Sequence, residues 1–158
     1  MAINLTGQAA VVTGAGRGIG RAIALILAEL GAGVVVNDLG TPTVDGQFRN
    51  TSPADKVVRE IQEAGGKAVA SYHSVADYDG SRQIIDAAIN TFGRIDALVN
   101  NAGITGSKAI YELSPEQFDE VVQVHAYGTF NCTRHACVYM KKQGYGRIVN
   151  VTSRAGLT

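Results

Sequence analysis

The sequence is poor in almost everything that would mark a secreted, membrane-bound or nucleic-acid-binding chain. It has no net charge: 14 Lys and Arg stand against 14 Asp and Glu. Such a balance leaves no electrostatic footprint for nucleic acid or an anionic membrane, and neither is expected as a partner. Cysteine is scarce. Cys132 and Cys137 are five residues apart, a spacing that fits no common metal or redox motif. The N-terminal MAINLTGQAAVV lacks the basic start and long apolar stretch of a signal peptide. The longest apolar run, Ala22 to Ala28, stops at Glu29 and is far too short to span a bilayer. Repeats and low-complexity segments are absent, and a cytosolic location is expected. Only three prolines occur against nineteen glycines, so many tight turns and closely packed helices are expected. A length of 158 residues allows one ordinary domain, or part of a larger one.

What is present alternates. Short β-branched runs at 9–13, 33–37 ("GVVVN"), 67–71, 97–100 and 147–152 read as strands, and the segments between them as helices. This is the pattern of a parallel sheet covered on both faces, an α/β doubly wound fold with strand order 3-2-1-4-5. Ser52-Pro53 and Asp77 start helices, and Ser114-Pro115-Glu116-Gln117 has the capping-box order and opens a long helix ending near Gly144. Residues 39–51 form a long polar loop.

The strongest signal is "VVTGAGRGIGRAIA", in which strand, glycine loop and helix follow one another. Gly14 allows the turn off the strand, Gly18 clears room for a pyrophosphate, and Gly20 lets helix pack on strand. The helix start around Arg17, Gly18, Ile19 and Gly20 offers unpaired N–H groups to phosphates. The spacing is T-G-x-x-x-G-x-G, and no Gly-Lys-Ser/Thr supports a P-loop. Asp38, eighteen residues beyond Gly20, ends the second strand. A carboxylate there can accept both hydroxyls of an adenosine ribose and would repel a 2′-phosphate. Arg17 pulls the other way, since a guanidinium can pair with that phosphate. Each unit-charge pair at roughly 4 Å is worth about 4 kcal/mol before desolvation at an effective dielectric near 20. Asp38 would meet the phosphate directly, so NAD is expected over NADP. "LVNNAG" closes the fourth strand: Asn100 and Asn101 can bind the backbone of neighbouring strands, while Ala102 and Gly103 leave room for a flat ring or a ribose.

These three segments, with "IVNVTSRAG" after them, resemble the short-chain dehydrogenases/reductases along essentially the whole chain. The resemblance implies a Rossmann-type fold, a nicotinamide cofactor, a small-molecule substrate, and a homo-oligomer in the full-length form. It also implies that Ser153 is the catalytic serine and polarises the substrate oxygen. The family's general acid/base is a tyrosine in a Tyr-x-x-x-Lys pair further along. None of the six tyrosines here has that lysine. Residues 1–158 are therefore expected to be a single NAD-binding domain that is incomplete at its C-terminus. "VVVNDLG", the long loop and "ADKVVREI" look like the hydroxyacyl-CoA dehydrogenase part of multifunctional β-oxidation enzymes.

Two positions depart from the family pattern. His125 stands where the family usually has Asn in its long helix. On a regular 100° wheel it shares a face with Phe118, Val122, Thr129 and Cys132 and points into the fold. It is either a packed core histidine or a relay group. Ser74 replaces an Asp that many members place near the adenine; the backbone of Val75 can still serve. His135 and Cys132 lie close on one helix, but two possible ligands do not make a metal site. The expectation is an NAD-dependent oxidoreductase that interconverts a secondary alcohol and a ketone, with a 3-hydroxyacyl thioester as favoured substrate. The rival reading is a non-catalytic NAD-binding or interaction fragment.

Overall fold

The computed structural model describes residues 3–40, 52–105 and 108–153. The polar loop expected over 39–51 therefore lies outside the described residues from position 41 onward. Five parallel strands form one sheet in the order β3-β2-β1-β4-β5: β1 (Ala9–Thr13), β2 (Gly33–Asn37), β3 (Lys67–Ser71), β4 (Ala97–Asn100) and β5 (Arg147–Asn150). The helices are α1 (Gly18–Glu29), α2 (Pro53–Glu63), α3 (Tyr78–Phe92), α4 (Pro115–Val122) and α5 (Gly128–Gln143). This is the expected doubly wound α/β architecture. The fifth strand ends two residues earlier than expected, although the Val151 N–H still bonds the Asn100 carbonyl at 2.9 Å.

Every residue of β1 and β2 is buried, which accounts for their lack of polar alternation. Val11, Val35 and Leu98 face α3 and α5, packing with Ile84, Ile85 and Ala136. Val12, Val34, Val36 and Val99 face α1 and α2. Caps act where the sequence places them. Ser52 and Asp55 form a capping box at α2, Ser114 and Gln117 another at α4, and the Asp77 carboxylate accepts the Gly80 N–H at α3.

The N-terminal ends of three strands are pinned by Asp96, which is 1% exposed. Its Oδ2 accepts the Ala9 N–H at 2.8 Å, its own N–H bonds the Ala9 carbonyl at 2.7 Å, and its carbonyl accepts from Arg147 at 2.8 Å. Arg94 closes a two-pronged ion pair on the same carboxylate, at 2.7 Å for each contact. The guanidinium is half exposed, so the buried amide contacts carry most of the effect.

The expected long helix is continuous from Pro115 to Gln143 but irregular. Residues Gln123–Tyr127 form a π-turn, in which the Gly128 N–H reaches back five residues to the Gln123 carbonyl. The wheel drawn for His125 therefore fails. An extra residue in one turn breaks the 100° register, so faces before and after the turn no longer align. His125 is exposed and Phe118 is 54% exposed, whereas Cys132 is fully buried.

The two cysteines differ sharply. Burial pushes the Cys132 thiol up to about 12, while Cys137 is exposed. Native protein should therefore label one cysteine with a thiol reagent near pH 8, and the second only after unfolding. Burial, with a hydrogen bond donated to Asp55, also raises the Tyr72 phenol to about 12. Both groups stay protonated in the fold while the unfolded chain ionises near 9 and 10 respectively. Urea midpoints should consequently fall as pH rises from about 9 towards 12.

Candidate cofactor and active site

The C-terminal edge of the sheet ends in a row of polar residues. Register places Thr13 beside Asn37 and Asn37 beside Ser71, and pairs Asn100 with Asn150. Thr13 and Asn37 tie down the loops that leave the edge. The Thr13 hydroxyl donates to the Val99 carbonyl (3.3 Å) and accepts the N–H groups of Asn101 and Ala102, both at 3.0 Å. Asn37 Nδ2 donates to the carbonyls of Ser71 (3.2 Å) and His73 (2.9 Å). Asn100 departs from the backbone contact expected of it: Nδ2 donates to the side chains of Thr133 (3.1 Å) and Asn150 (2.9 Å). Asn101 does bind backbone, donating to the carbonyls of Thr13 (2.9 Å) and Gly14 (3.1 Å).

The glycine turn is locked against this edge. Gly14 has φ 63° and Gly18 φ 56°, left-handed values that favour glycine. A Cβ on Gly14 would stand 2.8 Å from the Ala102 Cα, and one on Gly20 would run into the Gly14 carbonyl oxygen. The α1 N-terminus has neither a side-chain cap nor an acidic residue in its first turn. Its positive end is thus uncompensated by the helix itself, which suits an anion such as a pyrophosphate. Arg17 and Ile19 sit there, both exposed. Asp38, one residue past β2, bonds the loop itself: Oδ2 accepts the Gly16 N–H and Oδ1 the Gly40 N–H, each at 2.9 Å. The cradle a Cβ would fill, the bare helix end and a carboxylate one strand away together fit a dinucleotide.

The loops after β3 and β4, on either side of the β2–β1 pair, are held by the interrupted helix. His125 Nε2 lies 2.8 Å from the Ile104 carbonyl and 3.1 Å from its N–H, so either neutral tautomer grips the same residue. Its ring fills the space beside Gly103, where a Cβ would be 2.7 Å from Cε1. After the π-turn, Asn131 Nδ2 donates to the carbonyls of Val75 (3.1 Å) and Ala76 (3.4 Å). His135 Nε2 reaches the Tyr78 carbonyl at 3.1 Å, and its ring packs on that tyrosine with centroids 4.5 Å apart. Ser74 Oγ accepts the Ala76 N–H, and Val75 is buried against Gly128. Ser153 follows β5, exposed, on the same edge of the sheet; Arg154 to Gly156 lie outside the described residues.

Thr13, Gly16, Gly128 and Asn131 escaped the reading of the sequence. Asn131 carried a usable signal, because asparagine inside a helix is unfavourable unless its amide has work elsewhere. A cavity of about 1200 Å³ opens at the opposite edge, between Gly7, Gly31, Gly66 and Phe92, and includes none of the nominated residues. Ligands of open α/β sheets bind at the carboxyl ends of the strands, and this cavity lies at their amino ends.

Thr13→Val keeps the shape but leaves two N–H groups without their acceptor. It should cost about 2–4 kcal/mol in urea unfolding, while Thr13→Ser should stay close to the parent.

The short chain dehydrogenase family model matches residues 8–158. The peroxisomal multifunctional enzyme type 2 of Drosophila melanogaster is 50% identical over 151 residues, covering 96% of this chain and 25% of that protein. The 3-oxoacyl-[acyl-carrier-protein] reductase of Synechocystis sp. is 43% identical over 153 residues, covering 97% of this chain and 58% of its own length. This chain thus spans between a quarter and about three-fifths of those two relatives. The structure of a 7α-hydroxysteroid dehydrogenase complexed with NADH and 7-oxo glycochenodeoxycholic acid superimposes with a TM-score of 0.87 at 34% identity, covering 99% of this chain and 57% of that one. With sheet order, glycine turn and the match over residues 8–158 in agreement, the chain belongs to the short chain dehydrogenase family, oxidoreductases that use a nicotinamide cofactor.

Proposed function

We propose that this chain is the NAD-binding part of an oxidoreductase that interconverts a secondary alcohol and a ketone, with 3-hydroxyacyl thioesters as the favoured substrates. One observation carries the reading: Asp38 and Ser153 stand on the same edge of the sheet, after β2 and β5, with β1 and β4 between them. Three strand spacings amount to about 14 Å, a span suited to a dinucleotide lying across the glycine turn. The hydroxyl and oxo forms named for the steroid dehydrogenase support alcohol–ketone chemistry, and the name of the oxoacyl reductase supports an acyl substrate.

Each residue then has a task. Asp38, held by two amides, directs its remaining lone pairs at ribose hydroxyls and repels a 2′-phosphate. The first turn of α1 holds the pyrophosphate, with Arg17 beside it. Ser74 and Val75 flank the adenine, while Asn101, Ala102 and Gly103 give a narrow floor for the nicotinamide half. Bound there, the nicotinamide supplies the hydride donor or acceptor. Ser153 donates a hydrogen bond to the substrate oxygen. His125 is a positioning residue that fixes the backbone of Ile104. Exposed Tyr127, at the end of the π-turn, together with Phe130 and Val138 on α5, supports self-association. Among the described residues no helix is long and apolar enough to cross a membrane. The expected cytosolic location stands beside a relative named for the peroxisome, and imaging of a tagged protein distinguishes the two.

The intact protein should bind NADH more tightly than NADPH in fluorescence titrations. Asp38→Ala should narrow that ratio by about tenfold, and Asp38→Arg should invert it. Equal affinities in the parent would sink the assignment.

In a full-length form that supplies the Tyr-x-x-x-Lys pair, assayed with a 3-hydroxyacyl thioester, Ser153→Ala should lower kcat by about 10²–10³-fold. His125→Asn should stay within a few-fold, because a carboxamide offers Ile104 the same donor and acceptor. A loss nearer 10²–10⁴-fold would instead mark His125 as an acid–base group. Dinucleotide binding without turnover in that full-length form would favour the rival reading of a non-catalytic binding unit.

A further inference from the structure

The middle glycine of the turn, Gly16, is not demanded by backbone conformation. Its φ is absent from the left-handed set that contains Gly14 and Gly18. Space demands it instead. A Cβ at Gly16 would stand 2.5 Å from Pro53 Cβ, 2.6 Å from Asp38 Oδ2 and 2.7 Å from Asp38 Cγ, whereas ordinary contact begins at 3.4 Å. The same residue gives its N–H to Asp38 Oδ2 at 2.9 Å. One bare α-carbon thus lies between a helix start and the carboxylate that selects the cofactor.

We propose that Gly16 is a specificity-determining positioning residue, whose missing side chain lets the Asp38 carboxylate close on the glycine turn. The inference rests on reading the site as one for NAD. Of the two groups a side chain would strike, Asp38 is the one free to yield. Pro53 is the first residue of α2, fixed by the Ser52–Asp55 capping box and by Ala54 and Val57, which are 0% and 1% exposed. The Asp38 carboxylate needs only rotation about its side-chain bonds to leave. Leaving breaks the charge-assisted bond from Gly16 and frees the second oxygen from its pairing with Gly40. The carboxylate then no longer faces the ribose hydroxyls, and it no longer stands where a 2′-phosphate would be repelled. In this way Gly16 sets cofactor choice through Asp38, without touching the part of the cofactor that distinguishes NAD from NADP.

The test is a double-mutant cycle on the intact protein. Kd values for NADH and NADPH are measured by fluorescence titration for the parent, Gly16→Ala, Asp38→Ala and the double variant. Gly16→Ala should reduce the preference for NADH by about tenfold, as Asp38→Ala does, and the double variant should match Asp38→Ala alone. In the ligand-free protein, the Gly40 amide resonance should shift in Gly16→Ala towards its position in Asp38→Ala. If Asp38→Ala changes the preference and Gly16→Ala does not, the role of Gly16 is overturned while the NAD reading stands. If Asp38→Ala changes nothing, the NAD reading itself falls. Unfolding of Gly16→Ala in both the parent and Asp38→Ala backgrounds would also overturn the inference, because glycine would then serve the fold and not the carboxylate. Unfolding only in the parent background, with a folded double variant, would support a collision with Asp38.

Discussion

The hydroxyl of Thr13 uses all of its hydrogen-bonding capacity at once, one donated bond and two accepted, in a place that is 1% exposed. It does so where two parallel strands end together and the chain after β4 must turn away from the ladder. Without that oxygen the half-buried N–H groups of Asn101 and Ala102 would enter the turn with no acceptor from the protein. The Asn101 amide returns the tie by bonding the last carbonyl of β1 and the first of the glycine turn. Glycine turn and Asn-Asn-Ala-Gly segment therefore form one body. A dinucleotide laid over the edge meets a surface whose two central loops cannot move independently.

Electrostatics divide along the same edge. Asp38 takes its hydrogen bonds from Gly16 and Gly40, neither of them in the first turn of α1. The carboxylate is thereby fixed without consuming the amides that would hold phosphate. The absence of any Asp or Glu in that first turn has the same effect. An internal acidic cap would stabilise the helix by typically 0.3–1 kcal/mol and would compete with the anion for the same positive end. Here a small part of helix stability is forgone at an end that stays open to an outside anion.

Much of this was written in local sequence. Strand runs, capping residues and the glycine pattern all act through neighbours a few residues apart, and the strand ranges 9–13, 33–37, 67–71 and 97–100 follow from them directly. What was illegible depends on pairs distant in the chain. Gly16 is constrained by Pro53 and Asp38, Gly128 by Val75, and Asn131 by the carbonyls of Val75 and Ala76. No periodicity reveals such pairings. His125 shows the other kind of failure. Its residue type stands out in the sequence, but a regular helix gives it the wrong direction, because a single π-turn changes every angle across it.

That turn has a consequence for how such a chain can change over evolutionary time. A π-turn amounts to one surplus residue absorbed within a single turn of an otherwise regular helix. Deleting one residue from 123–127 would restore a smooth helix and leave Gly128, Asn131, Cys132 and His135 in nearly the same phase relative to α4. Those four are among the residues that face α3 and the loop after β3. The loss would be local, confined to the turn that brings His125 to Ile104. A one-residue gap elsewhere in the helix would instead turn every later contact by about 100°. Length is thus easier to change inside this turn than on either side of it.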